Sequence, residues 1–195
     1  QGGYMLLGLM VGDAVGSAGG LLHVFNYAVT QAALLMAVFA VVHRTGTADL
    51  NKLGGLVTRM PLTFLVLLFG IISLAGLPPM AGFVSKWMVY RSLLIEGMPL
   101  LFVAAIVGTL GTILSVYKLI HNIFLGQLRI EHVTVREAPL SMLVPMLGLS
   151  AVIFLAGVIP GPALSWVAEV QRLLGLPAVP YTLGGIQDAR GGLDM

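Results

Sequence analysis

Ser73-Leu74-Ala75-Gly76-Leu77-Pro78-Pro79-Met80-Ala81-Gly82-Phe83-Val84-Ser85-Lys86-Trp87 is the stretch that decides the fold. A charge-free apolar run, Pro61 to Gly76, leads into it. Pro78 and Pro79 cannot continue a regular helix, because proline lacks the amide donor and its ring clashes with the preceding turn. Apolar helix then resumes and carries Lys86. Such an interruption inside a bilayer is tolerated only where protein or a water-filled cavity covers the freed backbone groups. An ammonium beside it costs about 2.5–3.5 kcal/mol at a helix centre on insertion scales. Gly76, Pro78, Pro79 and Gly82 are therefore read as a helix break, and Lys86 as a member of an ion path. The plainer alternative is a lysine near a helix end that snorkels to the headgroups.

The rest of the chain is equally apolar. Of 195 residues, 58% are hydrophobic and 9% charged, and the mean hydropathy is +1.00. Soluble domains carry about 25% charged residues, so the composition is that of an all-α integral membrane protein lying in the lipid bilayer. A net charge of +2, spread along the chain, gives no footprint for nucleic acid. With no cysteine, disulfides and thiolate metal sites are excluded. No nucleotide or zinc motif occurs, no carboxylate pair lies inside a span, and no cofactor is expected.

About five transmembrane segments are expected. The first is a truncated piece ending near Gly12, so the chain is expected to be a fragment that opens partway through a helix. The second runs from about Ala18 to Val42, and the third from Pro61 through the break to about Leu94. The fourth runs from about Pro99 to Phe124 and the fifth from about Leu140 to Val158, stopped by Ile159-Pro160-Gly161-Pro162. A transmembrane region over 1–166 is followed by a tail over 167–195. Within the tail, Ala168 to Leu176 is expected to lie at the interface as a short amphipathic turn or two, and Pro177 to Met195 as loose chain. Arg44, Lys52, Arg59, Arg129 and Arg136 fall in the loops His43–Met60 and Gln127–Pro139, against Arg91, Arg172 and Arg190 on the other side. The positive-inside rule puts those two loops in the cytoplasm.

Polar residues interrupt two of the spans. His23, Tyr27 and Gln31 fall at i, i+4 and i+8, which stacks them on one helical face, with Asn26 and Thr30 beside them. Asn, Thr and Gln commonly hydrogen-bond between membrane helices. His23 stands apart because imidazole exchanges protons near neutrality, with an ordinary pKa of about 6.5. In the fourth segment, Lys118 and His121 lie on adjacent turns of one side, close to the span's end, where snorkelling is the simpler account of the lysine.

The broken-helix string resembles that of the antiporter-like subunits of respiratory complex I, Mrp-type sodium/proton antiporters and membrane-bound hydrogenases. Gln1-Gly2-Gly3-Tyr4, His23, Asp49-Leu50-Asn51-Lys52-Leu53-Gly54-Gly55-Leu56 and Met60-Pro61 agree with it. The resemblance covers about residues 1–126, and the remainder only by hydrophobic pattern. It implies a fold of about fourteen helices built from two inverted five-helix repeats, this chain being the second. It also implies a half-channel in which Lys86 ends a proton relay and His23 is a relay histidine. Members of that family commonly carry lysine where this chain has Gln31 and histidine where it has Tyr27. Glutamine cannot carry a proton and only orients water.

The function expected is therefore that of a proton-translocating (H⁺ or Na⁺) membrane subunit of an NADH-quinone oxidoreductase-like, Mrp-like or hydrogenase-like complex. The expected path residues are Lys86, His23, Gln31, Tyr27, Lys118 and His121. Other membrane subunits are the expected partners, and a bacterial or archaeal cytoplasmic membrane the expected location. A non-conducting scaffold subunit, which Gln31 favours, and a stand-alone secondary transporter are the alternatives. Any catalytic chemistry would belong to the assembly.

Overall fold

The structure, a computed structural model, describes residues 1–187 and the backbone of 193–194. Arg190, counted above in the charge asymmetry, lies outside the described residues.

A short helix α1 (Gly2–Val11) is followed at once by the long α2 (Ala14–Thr45). Gly12 makes the turn in the left-handed region at φ 87°, and Asp13 caps α2 by accepting from Gly16 N at 2.9 Å. Small residues let these two helices close up: a Cβ on Gly8 would stand 2.6 Å from the Gly16 carbonyl oxygen. α2 runs through the middle of the bundle and packs closely against α1 and every helix introduced below except α5. The third expected segment divides into α3 (Pro61–Ala75) and α4 (Ala81–Ile95), then come α5 (Pro99–Ile120) and α6 (Leu140–Val158). α5 ends in a single π turn, His121–Leu125. Among the described residues, three helices are long and apolar enough to cross a membrane: α2, α5 with its π turn, and α6. At 1.5 Å per residue, α3 and α4 are each about 22 Å long, too short to cross alone.

The main apolar core joins α2, α3 and α6 through residues such as Leu34, Val41, Leu67, Met146 and Ile153. α5 contributes little, burying only Ala105 and Ile120, and Leu100, Val103, Val107 and Leu114 stand exposed along it. At one end of the bundle the two arginine-bearing loops pack together. Arg129 donates to the Asn51 carbonyl, and His132 Nε2 lies 3.1 Å from the Lys52 carbonyl. Glu137 from the second loop caps α3, accepting from Leu62 N at 2.8 Å and from the Thr63 hydroxyl at 2.6 Å. A carboxylate there also meets the positive end of the helix dipole.

The tail departs from expectation. A seventh helix, α7 (Gly161–Leu173), starts directly after Pro160, so the boundary placed at 166/167 falls inside it. Pro162 sits in its first turn, where an amide donor is not needed. The stretch from Pro177, expected to be loose, pairs three two-residue strands: β1 (Tyr181–Thr182), β2 (Gly185–Ile186) and β3 (Leu193–Asp194). Gln171 ties this region to the bundle. Wholly buried, it donates to the Ala14 carbonyl at 2.9 Å and to Ser17 Oγ at 2.8 Å, and it accepts from Val179 N at 3.0 Å.

Candidate functional site

The site is built on the break between α3 and α4. α3 ends on Gly76, whose φ of 77° suits a residue without a side chain, and the amides of Gly76 and Leu77 turn back to the Ile72 carbonyl at 3.1 Å. That leaves the Leu74 carbonyl for another donor. Pro78 and Pro79 cross the gap, and α4 begins so close to α3 that a Cβ on Gly82 would stand 1.9 Å from the Ser73 carbonyl oxygen. α6 closes the other side of the break, with Gly157 against the Pro79 carbonyl, where a Cβ would stand at 2.0 Å.

α2 supplies one side chain to each part of this structure. Asn26 donates to the Ala81 carbonyl at 2.8 Å. The Thr30 and Ser73 hydroxyls lie 3.2 Å apart, and Ser73 Oγ accepts from Gly82 N at 3.2 Å. His23 Nδ1 lies 2.9 Å from Ser85 Oγ on α4. The buried polar line of α2 is thus His23, Asn26 and Thr30, spaced i, i+3 and i+7. Asn26 Oδ1 is buried with no hydrogen-bond partner among the described residues.

Lys86 is 1% exposed, among the largest side chains to be so fully enclosed. Its ammonium donates to the Leu74 carbonyl at 2.6 Å, at the negative end of the α3 dipole, and lies 4.7 Å from the centre of the Tyr4 ring. No acidic side chain of the described residues pairs with it. The His23 ring meets the same Tyr4 ring edge-on at 5.5 Å, and its Nε2 lies 3.0 Å from Gln1 Oε1. The Gln1 amide nitrogen reaches the Leu74 carbonyl at 3.5 Å and Thr112 Oγ1 on α5 at 3.2 Å. Tyr4 donates to the Ala105 carbonyl and shares Thr109 with Tyr90. One connected network of polar groups therefore joins α1, α2, the break, α4 and α5 around the lysine.

Of the residues expected on the path, Lys86 and His23 come together here, within the break formed by Gly76, Pro78, Pro79 and Gly82. Tyr27 and Gln31 are half-buried and make no hydrogen bond among the described residues, with Tyr27 packed on the apolar core. The i, i+4, i+8 stripe is displaced because α2 turns its i, i+3, i+7 residues to the break. Lys118 and His121 are exposed and make no contact with Lys86. His121 lines a separate polar cavity of about 600 Å³ between the two loops, together with Asn51, Arg129 and Glu131. Four residues went unmarked in the sequence as site members: Gln1, Tyr4, Ser85 and Thr112. Ser85 carried a signal in its place beside Lys86, Gln1 and Tyr4 in the opening string that agrees with the resemblance, and Thr112 as a polar residue of an apolar segment.

Residues 1–113 match the family model described as NADH:quinone oxidoreductase/Mrp antiporter, TM. An uncharacterized protein of Methanocaldococcus jannaschii is 28% identical over 179 residues, covering 90% of this chain and 37% of its own length. A Na(+)/H(+) antiporter subunit of Bacillus subtilis is 38% identical over 143 residues, 67% of this chain and 18% of that protein. Among solved structures, a chain of the membrane-bound sulfane sulfur reductase, an archaeal respiratory membrane complex, superposes with a TM-score of 0.86 at 29% identity, over 96% of this chain and 31% of that one. The chain thus spans 18% to 37% of the length of these relatives. With this match and its long apolar helices, it is an integral membrane protein.

Proposed function

The chain belongs to the NADH:quinone oxidoreductase/Mrp antiporter transmembrane family, and we propose that it moves protons across a membrane through the Lys86–His23 network, as one subunit of a larger membrane complex. The observation that carries this reading is Lys86 itself: a fully enclosed ammonium with no acidic partner among the described residues, held only by a helix-end carbonyl and an aromatic face. A permanently charged group so placed costs several kcal/mol, so ionisable residues within membrane helices are retained for ion or proton movement. A neutral lysine amine keeps two N–H donors for the Leu74 carbonyl and gains a lone pair. Lys86 can therefore give up and regain a proton without losing its anchor. The orphaned Asn26 Oδ1 suits a bound water beside the same path.

In this reading, α3 and α4 together make one broken span and α1 another. Residues 1–166 then form one five-span repeat of an inverted pair, with the tail packed on its end. The arginine-bearing loops, His43–Met60 and Gln127–Pro139, face the cytoplasm of a bacterial or archaeal cell. Electron-transfer chemistry, where the assembly has any, belongs to other subunits. A scaffold role without conduction is favoured by Gln31, a side chain that cannot carry a proton at a position where the family resemblance implies a lysine.

The two readings separate in proteoliposomes holding the protein with the membrane subunits that purify with it. Proton uptake in Lys86→Ala, and in the better space-filling Lys86→Met, should fall to background while the subunits remain assembled. Uptake at the parent rate in either assembled variant would overturn the proposal in favour of the scaffold.

A further inference from the structure

Gln1 and Ser85 hold the two ring nitrogens of His23, and the roles of donor and acceptor around them are determined by groups farther out. The Leu74 carbonyl can only accept, so the Gln1 atom facing it at 3.5 Å is the amide nitrogen. The second N–H of that amide points to Thr112 Oγ1 at 3.2 Å, and the Thr112 hydroxyl proton is already given to the Gly108 carbonyl at 3.1 Å. Both partners of the amide nitrogen are therefore acceptors, and the amide cannot be flipped without setting its oxygen against a carbonyl. Gln1 Oε1 must then face His23, and an amide oxygen only accepts. His23 carries its proton on Nε2, and the lone pair of neutral His23 lies on Nδ1, facing Ser85 Oγ at 2.9 Å.

Ser85 has a second acceptor within reach, the Gly82 carbonyl at 3.2 Å. With His23 neutral, the Ser85 hydroxyl donates to Nδ1. With His23 protonated, Nδ1–H donates to Ser85 Oγ and the hydroxyl turns to the Gly82 carbonyl. Nε2–H donates to Gln1 in both states. Each charge state of the imidazole is thus fully hydrogen-bonded without movement of a heavy atom.

We propose that Gln1 is a positioning residue that locks His23 in its Nε2–H tautomer, and that His23 gains and loses its proton only at Nδ1, through the Ser85 hydroxyl at the start of α4. As Ser85 Oγ gives its proton to His23 Nδ1 it takes one from a water on the side of the break, and that water is reprotonated by the Lys86 ammonium; the net transfer, from lysine to imidazole, leaves the total charge unchanged. The inference rests on the proton-moving reading above, but its central claim, the tautomer, is a property of the resting protein.

The test uses the protein with its co-purifying membrane subunits, labelled with ¹⁵N-histidine and studied by solid-state NMR in lipid, His23 being assigned by difference against His23→Gln. Parent His23 should show a protonated Nε2 and a bare, hydrogen-bonded Nδ1. Gln1→Met, which keeps the length but removes both amide groups, should release the lock and give mixed tautomers. Ser85→Ala should keep the Nε2–H tautomer, remove the hydrogen-bond shift at Nδ1 and cut proton uptake by about tenfold or more, the loss that removing one proton-transfer partner brings. Ser85→Thr, which restores a hydroxyl, should recover uptake. A parent His23 protonated at Nδ1, or an unchanged single tautomer in Gln1→Met, would overturn the lock. Parent-rate uptake in Ser85→Ala would overturn the Nδ1 route. A correct tautomer pattern together with parent uptake in Lys86→Ala would instead sink the proton-moving reading and leave the lock standing.

Discussion

Replacing Gly82 by alanine adds one methyl group, and the geometry of the break says what it costs. The new Cβ would stand 1.9 Å from the Ser73 carbonyl oxygen and 2.8 Å from its carbon, both backbone atoms that cannot rotate away. Ordinary contact begins at 3.4 Å, so the first turn of α4 must withdraw from the end of α3 by the difference, about 1.5 Å. That takes Gly82 N, now 3.2 Å from Ser73 Oγ, out of hydrogen-bond range, and draws Lys86, one turn on, off the Leu74 carbonyl at 2.6 Å. Overpacking of this kind costs about 1–3 kcal/mol. The two strained bonds add about 0.5–1.5 kcal/mol for the neutral one and 1.5–3 for the ammonium. After partial relaxation the total is on the order of 3–5 kcal/mol. Gly148→Ala in α6 is the control, because a Cβ there meets nothing within 4 Å; it should be neutral or stabilise by about 0.5–1 kcal/mol. The assay is the temperature of half-loss of monodisperse protein in detergent, read beside proton uptake. Gly82→Ala should melt well below both the parent and Gly148→Ala and carry no protons. A Gly82→Ala protein with the parent's midpoint and uptake would refute the claim that close apposition of α3 and α4 holds the lysine.

Gln31→Lys should assemble like the parent, because Gln31 is half-buried and has no hydrogen bond among the described residues to lose; failure of the complex to form on a sizing column would count against that. If Gln31 borders the path, the same variant should also change the dependence of uptake on pH, and an identical profile would place it off the route. Gln171→Leu should strand Val179 N without its acceptor, at a cost of about 1–3 kcal/mol, while the Ala14 carbonyl keeps the Ser17 hydroxyl. The expected result is faster protease cleavage beyond Leu173 with the helices intact, and an unchanged cleavage rate would show that Gln171 does not hold the tail.

The linear pattern was enough for some of this architecture. Apolar stretches of span length carried the helices α2, α5 and α6, and two prolines between two glycines located the break, because the absence of an amide donor acts locally and does not depend on neighbours. A lysine with that much hydrocarbon around it was also legible as a burial problem. The partners were not. Helical periodicity says that His23, Tyr27 and Gln31 share one face and that His23, Asn26 and Thr30 share another nearby, but not which face α2 turns to the break. Gly19 against Met88 and Val89 of α4, and Leu34 against Gly70 of α3, decide that, since only close contact sets how the helices rotate against one another. Lys118, for which snorkelling was the simpler account, stands exposed on α5 at the edge of the bundle. Gln1 stood in a string that resembles the family's, but its part in the site was not legible, because that part comes from a helix-end carbonyl, a histidine and a threonine brought together from three other helices. Which segments are helices is a short-range property and is written in the sequence; which atoms share a proton depends on contacts between residues far apart in the chain, and only the packed bundle decides it.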